Sequence, residues 1–216
     1  MQSIPQLISG HKPIIAVITI EDPNHALPIA KALFEGGVEI LEITLRNEYG
    51  LEAIKCIREE MPTLCVGAGT LTKASQFAKI KKVGAQFAVS PGLTPALLDA
   101  AFEYQVPYLP GAITPSEILM GIEGGLEYLK FFPAESSGGI DFLNNLAGPF
   151  PNIKFCPTGG VNDSNIQQYL ATSNVFCAGT TWLTPNQLTK ELRWKEITAR
   201  ARTLALKIMG VPAGIQ

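Results

Sequence analysis

The feature that most narrows what this chain can fold into is an eightfold alternation. Short, nearly all-apolar runs are each followed by a longer stretch with helical spacing. The runs are Pro13–Ile20, Val38–Leu45, Leu64–Gly69, Phe87–Pro91, Tyr108–Gly111, Tyr128–Pro133, Ile153–Thr158 and Val175–Thr180. The stretches between them cover Asn24–Glu35, Gly50–Glu60, a segment opening at Thr72, Pro95–Tyr104, a segment opening at Thr114-Pro115-Ser116, Gly139–Leu146 and Asn162–Leu170, with Pro185–Met209 last. Apolar runs without polar alternation are strands covered on both faces, and strand–helix units make a parallel sheet. Right-handed crossovers repeated eight times can close such a sheet on itself. The expected fold is therefore α/β, a single (β/α)8 TIM barrel formed by one domain over residues 1–216. An open doubly wound sheet is the rival. It would more naturally place a glycine-rich turn after the first strand, where this chain reads Ile20-Glu21-Asp22-Pro23.

Composition enters mainly by exclusion. Hydrophobic residues at 46% and charged residues at 17% fit a well-buried globular chain rather than a disordered one. The longest charge-free window, Ser164–Thr189, is rich in Asn, Gln, Thr and Ser and contains Pro185, so no membrane span or membrane partner is expected. The N-terminus lacks a basic start and a small-residue cleavage site, so no secretory signal is expected. Seventeen basic and nineteen acidic residues are spread without runs, which leaves no basic face for nucleic acid. Cys56, Cys65, Cys156 and Cys177 form no C-x-x-C pair and read as reduced thiols of a cytoplasmic protein. Neither histidine, His11 or His25, has a ligand-type neighbour at metal spacing, so no metal is expected. The chemistry falls to Lys, Arg, Asp, Glu and backbone groups.

In a parallel barrel the functional groups stand at the carboxyl ends of the strands. Lys130 lies in Tyr128-Leu129-Lys130-Phe131-Phe132, where strand alternation puts it on one face with Tyr128 and Phe132. Lysine is almost never buried unpaired, burial disfavours an ammonium, and a neutral amine can form a Schiff base with a carbonyl. A strand-terminal lysine can equally snorkel to the rim or pair structurally with a carboxylate. In Ile40–Arg46 the same period puts Glu42, Thr44 and Arg46 on one face. They form either a structural ion pair or an acid/base beside an anion clamp. Gly159 and Gly160 close the seventh run, and Gly179, Thr180 and Thr181 close the eighth. Such turns let the backbone approach a phosphate, although a strand-end Gly-Gly can also be a plain tight turn.

Taken together, five segments carry a resemblance. Glu42-Ile43-Thr44-Leu45-Arg46, Val66-Gly67-Ala68-Gly69-Thr70, Ser90-Pro91-Gly92-Leu93-Thr94, Lys130-Phe131-Phe132-Pro133-Ala134-Glu135 and Pro157-Thr158-Gly159-Gly160 resemble the 2-keto-3-deoxy-6-phosphogluconate (KDPG) aldolases, also called 4-hydroxy-2-oxoglutarate (KHG) aldolases. The similarity runs from about Lys12 to Leu183. It implies a class I lyase of the Entner–Doudoroff pathway, free of metal and cofactor, cytoplasmic, and assembled as a homotrimer. Its partner would be a small 2-keto-3-deoxy (phospho)sugar acid. By the same resemblance Lys130 is the Schiff-base lysine and Glu42 the general acid/base. Arg46 with Thr70 holds the pyruvyl carboxylate, Pro91, Phe132 and Thr158 shape the pocket, and Gly159, Gly160, Gly179, Thr180 and Thr181 form the phosphate cradle. One position departs from the family: Thr180 stands where a glycine is common. A β-branched residue crowds an approaching anion and resists positive φ, which puts the preference for phosphorylated substrate in question. Sister aldolases acting on phosphogalactonate or unphosphorylated acids share the pattern. A phosphate-binding isomerase or synthase would use Glu42 as base and Lys130 only as a charge. A non-catalytic barrel that binds a small anion is the third rival.

Overall fold

A computed structural model describes residues 3–209. The expected domain, 1–216, runs past this range, so its residues 1–2 and 210–216 lie outside the described residues. The elements in order are α1 (Ile4–Ile8), β1 (Ile14–Ile18), α2 (Ala26–Glu35), β2 (Ile40–Thr44), α3 (Tyr49–Glu60), β3 (Cys65–Gly69), α4 (Gln76–Lys82), β4 (Ala88–Ser90), α5 (Pro95–Glu103), β5 (Tyr108–Pro110), α6 (Pro115–Glu123), β6 (Tyr128–Phe131), α7 (Gly139–Ala147), β7 (Lys154–Pro157), α8 (Ile166–Leu170), β8 (Ala178–Thr180), α9 (Asn186–Lys190) and α10 (Trp194–Lys207). Every anticipated strand occurs, and all the ladders are parallel. Among the described residues, no helix is long and apolar enough to cross a membrane.

The expected single closed (β/α)8 TIM barrel is not what these strands form. They divide into a six-stranded sheet, ordered β5-β4-β3-β2-β1-β8, and a separate pair, β6-β7. Isolated bridges stand in the two gaps: Gly111 opposite Lys130 on one side, Phe155 opposite Val175 and Thr158 opposite Gly179 on the other. Proline explains much of the interruption. Gly111 N–H donates to β4 at Ser90 and Ala112 N–H donates to β6 at Lys130, so alternation makes Pro110 the residue whose donor should face β6. Likewise Phe155 donates toward Asn174 and Thr158 toward Phe131, which leaves Pro157 facing the gap to β8 without a donor. On that side three residue steps along β7 match four along β8, a bulge that breaks the ladder.

The strands alternate between two cores. Leu41, Ile43, Val66, Ala68, Leu129 and Phe131 join the helix-facing core. Ile15, Ile40, Cys65, Phe87, Val89, Leu109, Cys156 and Cys177 form a second core on the opposite faces, to which α1 adds Ile4 and Ile8. The sequence pattern does not disclose α1, a single turn and a half whose Ser3–Gln6 capping box satisfies its first amides. The last predicted helix, Pro185–Met209, divides into α9 and α10, with Leu192 between them at φ +56. Ile197, Leu204 and Ile208 are buried in the helix-facing core.

Candidate active site

The inner faces of β2 and β6 bring two charges together. Leu41 and Ile43 point to the helices, so Glu42 points inward, with Val17 and Gly67 as its Cα partners. Leu129 and Phe131 do the same for Lys130, which is paired with Cys156. Lys130 is 6% exposed and Glu42 2%, and the lysine Nζ lies 3.3 Å from Oε1 and 3.5 Å from Oε2. A buried ion pair of this kind offsets its desolvation only through close contact, and removing one partner strands the other charge. Its spacing is looser than the roughly 2.7–2.9 Å of a tight charge-assisted bond, so the amine is held without being locked.

Neighbouring residues make room for this pair. A Cβ on Gly69 would sit 2.2 Å from Glu42 Oε1, so only glycine at the end of β3 lets the carboxylate lie there. The Phe132 ring centroid is 5.2 Å from Lys130 Nζ, within cation–π range. Burial raises the Cys177 thiol well above its ordinary range, and a hydrogen bond with Cys156 and the Glu42 charge push the same way. That thiol stays neutral beside the pair. The three buried cysteines, Cys65, Cys156 and Cys177, are all free, as is half-buried Cys56.

Thr158 is buried at the end of β7, directly against β8: a Cβ on Gly179 would meet its Oγ1 at 2.4 Å. The next two residues, Gly159 and Gly160, turn with φ +99 and +83. That turn is braced by asparagines, since the Asn162 and Asn165 side-chain amides both donate to the Gly160 carbonyl at 3.0 and 3.1 Å. This bracing is why α8 starts at Ile166 rather than at Asn162, where the sequence pattern begins it. Asn165 has no distinguishing signal in the sequence.

The remaining predicted residues lie nearer the rim. Arg46 stands two residues past β2, exposed, with no ion pair among the described residues. It lines a cavity of about 390 Å³ with Val17, Thr19, Glu21, Thr181, Thr184 and Asn186. Thr19, which sequence reasoning overlooks, also holds the Thr44 hydroxyl at 2.9 Å. Thr70 is half-buried with φ +63, a left-handed conformation that is strained for a β-branched residue. Pro91 is exposed at the end of β4, and Thr181 is exposed just past β8. Thr180 is the last residue of β8, and its hydroxyl donates to the Val161 carbonyl at 2.6 Å and accepts from Trp182 N–H at 3.0 Å.

A buried amine in contact with a carboxylate can attack a ketone and move protons. The cavity of Arg46, which Val17, the strand partner of Glu42, also lines, holds a guanidinium that has no ion pair among the described residues and can bind an acid. Comparison with known proteins agrees with that chemistry. The model of the KDPG and KHG aldolase family matches residues 7–200. A 2-dehydro-3-deoxy-phosphogluconate aldolase of Dickeya dadantii is 49% identical over 190 residues, 88% of this chain and 89% of that protein. The KHG/KDPG aldolase of Escherichia coli K12 is 46% identical over the same shares. A crystal structure of the Legionella pneumophila KDPG aldolase, holding pyruvate as a covalent carbinolamine, superposes with TM-score 0.89 at 39% identity, covering 92% of this chain and 96% of that one. On sequence, fold and arrangement of groups alike, this chain belongs to the KDPG and KHG aldolase family.

Proposed function

We propose that this protein is a metal-independent class I aldolase of the Entner–Doudoroff pathway. It cleaves 2-keto-3-deoxy-6-phosphogluconate to pyruvate and glyceraldehyde 3-phosphate and also accepts 4-hydroxy-2-oxoglutarate. The observation that carries this reading is the buried contact between Lys130 and Glu42. In its neutral form the Lys130 amine attacks the C2 ketone, and the carbinolamine loses water as Glu42 supplies a proton to the departing hydroxyl. The product is an iminium, which draws electrons from the C3–C4 bond. Glu42, through a water, takes the C4 hydroxyl proton as that bond breaks and the aldehyde leaves. Protonation of the enamine at C3 and hydrolysis of the resulting iminium release pyruvate and return Lys130 to its free state.

Around these two groups, Arg46 with Thr70 holds the C1 carboxylate, where a planar guanidinium gives two-point geometry. Phe132, Pro91 and Thr158 shape the pocket. Gly159, Gly160, Gly179 and Thr181 receive the phosphate, with Thr180 acting through the fold of that turn. The protein works in the cytoplasm as a homotrimer, readings that rest on the family and that light scattering and cell fractionation test directly. Borohydride added to enzyme with pyruvate should fix one pyruvyl unit on Lys130, seen by peptide mass. An unmodified Lys130 after full turnover conditions would falsify the scheme and favour a phosphate-binding isomerase or synthase that uses the lysine only as a charge.

A further inference from the structure

The rim cavity carries a charge that the cleavage scheme leaves unused. Glu21, three residues past β1, lines it together with Arg46, Thr181 and Thr184. Its carboxylate is held in place, with Asn186 Nδ2 donating to Oε1 at 3.1 Å and Lys190 Nζ 3.5 Å from Oε2. The same side chain lines an adjoining cavity of about 270 Å³ with Thr19, Asp22, His25 and Lys190, so it stands between the two spaces.

Because Glu21 and Thr181 line the same cavity, an anion held at the Thr181 hydroxyl faces the Glu21 carboxylate across it. That repulsion is of the kind that salt screens over about 8 Å at physiological ionic strength. Lys190 offsets little of it, because its side chain is 67% exposed and a solvated pair at 3.5 Å is weak. Arg46 pulls the other way, but it is the group that the substrate's own carboxylate engages.

We propose that Glu21 is a specificity-determining residue: it weighs against a dianionic phosphate at the far end of the substrate and favours a 4-hydroxy-2-oxo acid that ends in an uncharged hydroxyl. This rests on the aldolase reading. The test measures pyruvate release from phosphorylated and unphosphorylated 2-keto-3-deoxygluconate by the unmodified protein, Glu21→Gln and Lys190→Met. Glu21→Gln raises the ratio of kcat/KM values, phosphorylated over unphosphorylated, about five- to tenfold, through a lower KM for the phosphorylated acid. Lys190→Met lowers the ratio about twofold. Both effects fade toward 1 M salt, where screening extends only about 3 Å. A ratio that stays within twofold in Glu21→Gln, falls, or ignores salt overturns the proposal while leaving the aldolase reading intact. Absence of pyruvate release from either acid by all three proteins overturns the aldolase reading, and this proposal with it.

Discussion

The chamber that holds Lys130 and Glu42 and the rim that holds Arg46 and Glu21 share strand β2 but obey different physics. In the chamber both charges are almost wholly out of water and in contact, framed by apolar faces and neutral thiols. At the rim the side chains are partly solvated: Glu21 is 41% exposed and its partner Lys190 more so. Electrostatic interactions are strong and geometry-bound in the first setting, weak and screened in the second. The difference teaches where each property of an enzyme like this one is stored. Reactivity sits where a shift of an ångström matters, and substrate preference sits where charge can be changed at little cost to the fold.

The sharpest way to break the comparison is to remove one charge of the chamber. Lys130→Met should cut pyruvate release by at least about 10⁴-fold, because the amine that forms the Schiff base is gone. It should also lower stability by about 3–5 kcal/mol in urea melts, since Glu42 is left buried and unpaired. Adding Glu42→Leu to Lys130→Met should recover most of that stability and none of the activity. Equal melts for the single and double variants would show that the stranded Glu42 carboxylate is not what destabilises Lys130→Met.

Next in size is Gly69→Ala. The added methyl would come within 2.2 Å of Glu42 Oε1, so kcat should fall about 10²-fold through misplacement of the carboxylate. Steady-state kinetics that show only a KM change would argue against this account. Arg46→Leu, at the rim, should instead raise KM about 10- to 100-fold and leave thermal stability within roughly 0.5 kcal/mol, as expected of an exposed side chain with no ion pair among the described residues.

The smallest effect concerns a local device on the rim loops. At the start of α6 the Thr114 side chain accepts from Glu117 N–H, while the Glu117 carboxylate accepts from Ile113 and Thr114 N–H at 2.9 and 2.8 Å. Partial burial pushes the Glu117 carboxyl upward, but these backbone bonds and the Thr114 hydroxyl outweigh it, and it titrates below its ordinary value. A depressed carboxyl contributes stability above its unfolded value, near pH 4.3, and loses it as pH falls through the folded one. Glu117→Gln should therefore cost about 1 kcal/mol at pH 7 and progressively less below pH 4, read from melts at both pH values. A deficit independent of pH would mean that charge plays no part in the cap.

Much of this was legible in the chain. Alternation along Ile40–Arg46 and Tyr128–Phe132 correctly put Glu42 and Lys130 on the faces opposite Leu41 and Leu129, because the two-residue period of a strand is a local property. The glycines after β7 read as a turn from the sequence, and both take positive φ there. Thr180 and Thr70 show the limit of that logic. A β-branched residue was suspect at Thr180, yet it lies comfortably in strand geometry with its hydroxyl bonded to Val161, while the left-handed threonine is Thr70. Composition cannot say which residue a turn will strain.

By itself the sequence determined the number, order and facing of the strands, since those follow from hydrophobic period and from breakers close by in the chain. Tertiary structure alone decided that the sheet divides into six strands and two, that Lys130 and Glu42 meet at 3.3 Å across 88 residues of chain, and that Glu21 faces the cavity of Arg46. Those outcomes depend on which donors a proline withholds from a neighbouring strand and on how side chains fill a shared volume, and neither quantity exists until distant segments are packed together.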